Sequence, residues 1–187
     1  MGVEFRQTTL PGVILCQMQE FADSRGHFLE SYHSEKYQKG AIGETFVQDN
    51  YSHSKRGVLR GLHYQVNQPQ GKLVHVLRGE IFDVAVDIRK NSPHFGKWYG
   101  TNLSGENRRQ IYVPEGFAHG FCTLSAEADV VYKCTDLYSP ENERSLIWND
   151  PDVNISWPIE KPSLSEKDAA GLKLADLKDN DLPDYKK

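Results

Sequence analysis

Four side chains of unlike acidity stand out on segments that otherwise read as core. His63 lies in GVLRGLHYQ, His119 in PEGFAHGF, Lys72 just after Gln70-Gly71, and Tyr132 in VVYKC. An imidazole, a phenol and an ammonium cover several pKa classes, so one cavity holding all of them is equipped for acid–base chemistry. Taken singly, each has a plainer reading. A histidine or tyrosine on a mixed strand is usually packed and hydrogen-bonded, and Arg25 and Arg60 are ordinary surface charges. A metal centre is disfavoured. The would-be HxH pair is His63-Tyr64-Gln65, with glutamine in the second histidine's place, and Lys72 adds a cation close by.

The elements that must carry these groups are strands. In EIFDVAVDIR, Phe82, Val84, Val86 and Ile88 share one face, and Ile81, Asp83, Ala85 and Asp87 share the other, which bears the carboxylates. Comparable runs fall at Thr45–Tyr51, Gly57–Val66, Lys72–Leu77, Gln110–Val113, Gly116–Leu124, Asp129–Leu137 and Ser145–Trp148, with Gly/Pro/Asn/Ser punctuation between them. Short strands at near-regular spacing predict an antiparallel sandwich or barrel. In GVLRGLHYQ, alternation puts Leu59, Gly61, His63 and Gln65 on one face, opposite Arg60 and Leu62. If the inner faces converge, His63, His119, Tyr132 and Lys72 share one cavity, and Gly61 beside His63 permits close approach of a ligand.

Helix signals are few. Ser34 reads as the cap of a short helix through Lys39, closed by Gly40. Ser163-Leu164-Ser165-Glu166 has capping-box spacing before a modest helix that Gly171 breaks. The expectation is one domain over 1–187 with a helical C-terminal appendage, loosely ordered after about residue 179.

Composition narrows the function. The 187 residues carry 22 basic and 26 acidic side chains, a net charge of −4. A mildly acidic chain is a poor partner for nucleic acid, although a local basic pocket for one small anion is compatible with it. No apolar run is long enough to span a membrane, and MGVEFRQTTLPGVILC lacks a basic segment before its apolar stretch, so a cytoplasmic protein without a signal peptide is expected. Cys16, Cys122 and Cys134 form no CxxC pair and sit among apolar neighbours, as buried thiols in a reducing compartment do.

The ordered strings FADSRGHFLESYH, FVQDNYSHSKRGVLRGLHYQ, QGKLVHVLRGEIFDVAVDIRKNSPHFGKW, PEGFAHGF, VVYKCTDLYSPENE and WNDP resemble the dTDP-4-dehydrorhamnose 3,5-epimerase family, from about Phe21 to Asp168. The resemblance implies an all-β, cupin-type jelly-roll barrel, a homodimer, and neither metal nor organic cofactor. It implies inversion of C3 and C5 of dTDP-4-dehydro-6-deoxy-D-glucose, a step of dTDP-rhamnose biosynthesis. Tyr51 departs from the histidine frequent at that point of the family pattern, which bears on ligand contacts and not on the proton chemistry.

By the same resemblance His63 is the base, Asp168 its carboxylate partner, Tyr132 the proton donor and Lys72 the group at the ketone oxygen. Asp168 has a second reading as a charge at a helix N-terminus, and Tyr138 is a rival donor. His119 resembles a second ligand-facing imidazole. Arg25 and Arg60 resemble anion contacts, where guanidinium forks suit a diphosphate. Gln48, Asp49 and Asn50 of the QDN string resemble ligand contacts. Phe28 and Glu30 lie on a segment like the thymidine-binding arm, and Glu143 and Lys167 match ligand-lining positions. Three alternatives remain: epimerisation at one carbon only, a nucleotide-sugar-binding module without catalysis, and a metal-dependent cupin.

Overall fold

The computed structural model describes residues 2–185. Strands β1 (Val3–Gln7) and β2 (Ile14–Met18) open the chain. A hairpin of β3 (Glu20–Asp23) and β4 (Gly26–Leu29) follows, then the short helix α1 (Ser34–Lys39). Next come β5 (Gln48–Lys55), β6 (Leu59–Gln65), β7 (Lys72–Arg78), β8 (Glu80–Asp87), β9 (Trp98–Ser104), β10 (Arg109–Val113), β11 (Phe117–Thr123) and β12 (Glu127–Cys134). Then follow β13 (Glu143–Ser145), the single-turn helix α2 (Glu166–Ala169) and two 3-10 turns, Leu174–Asp176 and Asp179–Asp181. A six-stranded sheet, β1-β2-β10-β7-β12-β5, faces a five-stranded sheet, β13-β6-β11-β8-β9. The strand pairs within both are antiparallel, and the architecture is the jelly-roll barrel expected.

Between the sheets, Val74, Val76, Ile81, Ala85, Leu103, Ile111, Phe117, Phe121 and Val130 form the central core. Each large apolar side chain of this kind removed from water contributes about 1.5–3 kcal/mol. Two further clusters cover the outer faces. Leu62, Val84, Val86, Ile88 and Leu146 lie beneath the C-terminal segment, and Ile14, Cys16, Leu73 and Tyr112 lie beneath Tyr37 of α1. The central strands of the five-stranded sheet are therefore covered on both sides, which explains why both faces of β8 are largely inaccessible. Its carboxylate-bearing face, with Ile81 and Ala85, points into the barrel. Cys16, Cys122 and Cys134 are free thiols and buried, and burial pushes Cys16 up to about 12 and Cys122 to about 11.

The boundaries differ in instructive ways. The strand expected over Thr45–Tyr51 runs Gln48–Lys55, and that over Asp129–Leu137 runs Glu127–Cys134, because the two pair along their whole length. The strand expected over Ser145–Trp148 lies earlier, as β13 beside β6. His33, not Ser34, is the N-cap of α1, and it makes no side-chain cap hydrogen bond. Ser165, not Ser163, caps α2, accepting the Asp168 N–H. Beyond α2 the chain stays in contact with the barrel. The Leu172 N–H donates to Ser145 O, Leu174 and Leu182 pack under the five-stranded sheet, and the Tyr185 N–H donates to Lys90 O. Lys186 and Lys187, part of the tail expected after about residue 179, lie outside the described residues. Among the described residues no helix is long and apolar enough to cross a membrane.

Candidate active site

One end of the barrel holds a cavity of about 460 Å³ lined by β5, β6, β7, β11, β12 and the chain around β13 and α2. That volume suits a small-molecule ligand. His63, Lys72, Tyr132 and Asp168 all line it, as do Gln48, Asn50, Arg60, His119, Tyr138, Glu143 and Lys167. The convergence follows from pairing. His63 on β6 stands opposite His119 on β11, and Tyr132 on β12 stands opposite Asn50 on β5.

His63 is not in bulk solvent. Its side chain is 27% exposed, and Nε2 lies 2.6 Å from Asp168 Oδ1. The same oxygen accepts the Gly61 N–H at 3.3 Å, and Oδ2 accepts the Ser165 hydroxyl at 2.7 Å. Burial works to raise the Asp168 pKa, but the bonds from His63, Ser165 and Gly61 outweigh it and hold the carboxyl below its ordinary range. A neutral imidazole donating from Nε2 leaves the Nδ1 lone pair for a proton.

Burial raises the Tyr132 phenol above the ordinary tyrosine value, keeping it a proton donor, and lowers the Lys72 ammonium below the ordinary lysine value. His119 Nε2 lies 2.9 Å from both oxygens of Asp83, a fully buried carboxylate. Arg60 is held by its Nε donating to Ser54 Oγ at 2.9 Å. At the rim Glu143 accepts from Lys167 and, at 2.6 Å, from the Tyr138 hydroxyl, and this bond pushes Tyr138 up to about 12.

Four residues expected to contact ligand stand elsewhere. Asp49 points away from its neighbours Gln48 and Asn50, as strand alternation requires, and pairs with Lys133 at 3.0 Å. Arg25 pairs with Asp23 at the tip of the β3–β4 hairpin, and Glu30 pairs with Lys36. Phe28, 61% exposed, faces Phe21 across that hairpin. The close approach expected at Gly61 is real, but its partner is backbone. A Cβ there would lie 2.6 Å from Gly120 Cα, so the two glycines let β6 and β11 pass in contact.

Sequence reasoning does not single out Asp83, Ser165 or Gln70 as site residues. Asp83 carries a usable signal, since it alternates with Ile81 and Ala85 on a face that must be inside. Ser165 is masked by Ser163, which has the same capping-box spacing. Gln70 sits in a polar turn and carries none. Among the described residues no group of three or more His, Cys, Asp or Glu stands together as a metal ligand set.

Residues 7–176 match the sequence model of a family described as dTDP-4-dehydrorhamnose 3,5-epimerase. The chain is 53% identical over 173 residues to the dTDP-4-dehydrorhamnose 3,5-epimerase of Shigella flexneri, covering 91% of this chain and 95% of that one. It is 54% identical over 182 residues to the enzyme of that name from Neisseria gonorrhoeae, covering 96% of this chain and spanning 56% of the relative's length. A crystal structure of the dTDP-6-deoxy-D-glucose-3,5-epimerase of Legionella pneumophila Philadelphia 1, in complex with dTDP-4-keto-L-rhamnose, matches with a TM-score of 0.96 and 50% identity over 100% of both chains.

Proposed function

Because the chain belongs to the dTDP-4-dehydrorhamnose 3,5-epimerase family, we propose that this cavity inverts C3 and C5 of dTDP-4-dehydro-6-deoxy-D-glucose, giving dTDP-4-dehydro-L-rhamnose. The single observation that carries the assignment of roles is the His63–Asp168 pair at 2.6 Å inside a cavity that Tyr132 and Lys72 also line. The protein is an isomerase of the dTDP-rhamnose route.

Both reacting carbons adjoin the C4 ketone, which acidifies their hydrogens. His63 Nδ1 takes the proton from one face, and the C–H electron pair moves through the new C–C double bond onto the ketone oxygen. The Lys72 ammonium stabilises that oxyanion by donating a hydrogen bond. Asp168 steadies the imidazolium. As the carbonyl re-forms, Tyr132 delivers its proton to the opposite face of the carbon. Imidazolium and phenolate then reset through solvent, and the sequence repeats at the second carbon.

The remaining polar groups hold the nucleotide. Arg60 suits the diphosphate, and Gln48, Asn50, His119, Tyr138, Glu143 and Lys167 suit the sugar and base. Arg25, Phe28 and Glu30 are read as ligand contacts made in a homodimer, where the arm formed by β3 and β4 reaches a partner's cavity. An isolated two-stranded hairpin with an exposed phenylalanine gains stability from such docking. Asp49, paired with Lys133, is read as supporting the QDN strand beside the ligand. The whole chain is read as one domain in the cytoplasm, working without a metal or organic cofactor.

The test is product analysis. Purified protein incubated with the dTDP-4-keto-sugar is expected to yield the L-rhamno configuration by NMR after chemical reduction of the ketone. Recovery of unchanged D-sugar alone would remove the assignment.

A further inference from the structure

Asp168 can serve His63 only if one carboxylate oxygen is held toward the ring, and α2 itself is too short to enforce this. It has four residues, Glu166–Ala169, and single-turn helices have no intrinsic stability in water. The anchor is Ser165. Its Oγ accepts the Asp168 N–H at 3.1 Å, and its hydroxyl proton is donated to Asp168 Oδ2 at 2.7 Å. A cap needs only the first of these bonds. Asp, Asn, Thr or Gly would serve the helix about as well, but an acidic cap could not donate to a carboxylate.

The second bond occupies Oδ2 and leaves Oδ1 for His63 Nε2 and the Gly61 N–H. We propose that Ser165 is a positioning residue for the base: its hydroxyl clamps the far oxygen of Asp168, so that the near oxygen meets Nε2 and Nδ1 is the ring atom turned to substrate. The proposal rests on the reading of His63 as the base. Ser165 lines the cavity, so the clamp stands at the site itself. The bond also favours the charged form of the Asp168 carboxyl.

The experiment compares Ser165→Gly, Ser165→Thr and His63→Asn with the full wild-type chain, measuring thermal melting, kcat and KM. Glycine removes the donor at little cost to the cap. Ser165→Gly is expected to melt cooperatively and to lose about tenfold in kcat with KM nearly unchanged, the weight of one hydrogen bond to a charged group. Ser165→Thr, which keeps the hydroxyl, is expected to restore kcat. A folded Ser165→Gly with wild-type kcat, beside an inactive His63→Asn, would show that Ser165 is a helix cap and nothing more. An active His63→Asn would instead remove the base beneath the proposal.

Discussion

Nε2 of His63 and Oδ1 of Asp168, 105 residues apart in the chain, meet at 2.6 Å. The meeting depends on two elements, β6 and α2. Strand β6 presents the ring, the Gly61 N–H shares the accepting oxygen, and the single turn of α2 brings in the carboxylate. The pair joins a strand of the barrel to a single helical turn near the C-terminal end of the chain.

Replacing His63 with Asn removes the imidazole proposed as the base. A kcat loss on the order of 10²–10⁴-fold is expected, the range of one acid–base group. Steady-state turnover with the dTDP-keto-sugar checks this, and wild-type turnover in the variant would take His63 out of the role.

Tyr132→Phe separates abstraction from reprotonation. The variant is expected to exchange substrate hydrogen with solvent while net inversion falls by about 10²-fold or more. Tyr138→Phe is expected to lose less, because that hydroxyl is already bound to Glu143 at 2.6 Å and its residue is half exposed. Equal loss of inversion in the two variants would leave the donor unassigned between them.

Arg60→Ala is expected to raise KM more than it lowers kcat, since a diphosphate contact is the same in ground and transition states. Initial rates across a range of substrate concentrations decide it, and a pure kcat loss contradicts the assignment.

If the β3–β4 arm acts in a partner's site, mixing protomers rescues activity. Arg25→Ala and His63→Asn chains, unfolded and refolded together, form mixed dimers containing one site with both residues intact. At substrate below KM the mixture is expected to exceed the average of the two parents. A rate equal to that average would place the arm outside the neighbouring site.

Acid stability has a defined sign. Burial works to raise the Asp87 carboxyl, but bonds from Arg89 and Ser92 hold it below its ordinary value, and Asp168 is likewise held low. Groups depressed on folding contribute stability that is complete above the unfolded value, about 3.9 for Asp, and is lost as pH falls through the native value. Melting temperature is therefore expected to fall steeply below about pH 4. Asp87→Asn breaks a buried pair with Arg89, at a cost of about 3–5 kcal/mol near neutral pH.

The alternating strands are readable because their apolar residues recur with a period of two. β8 and β11 declare themselves, and their pairing brings Asp83 to His119. β9 escapes notice because Trp-Tyr-Gly-Thr-Asn-Leu-Ser lacks a clean period at a sheet edge, where one side is half exposed. Alternation also sets Arg60 and His63 on opposite faces, yet both line the cavity. The register of β6 against β11 shifts between His119 and Phe121, and a shift of this kind breaks a period of two. Ser165 is hidden for a different reason. Its importance lies in an oxygen it touches three residues on, and no spacing rule distinguishes it from Ser163.

The most direct measurement follows the sugar by NMR in heavy water with wild-type protein and with His63→Asn. Wild type is expected to place deuterium at both C3 and C5, and the variant at neither. Deuterium at one carbon would mean a single-carbon epimerase, and deuterium at neither carbon with wild-type protein would contradict proton abstraction by His63 altogether.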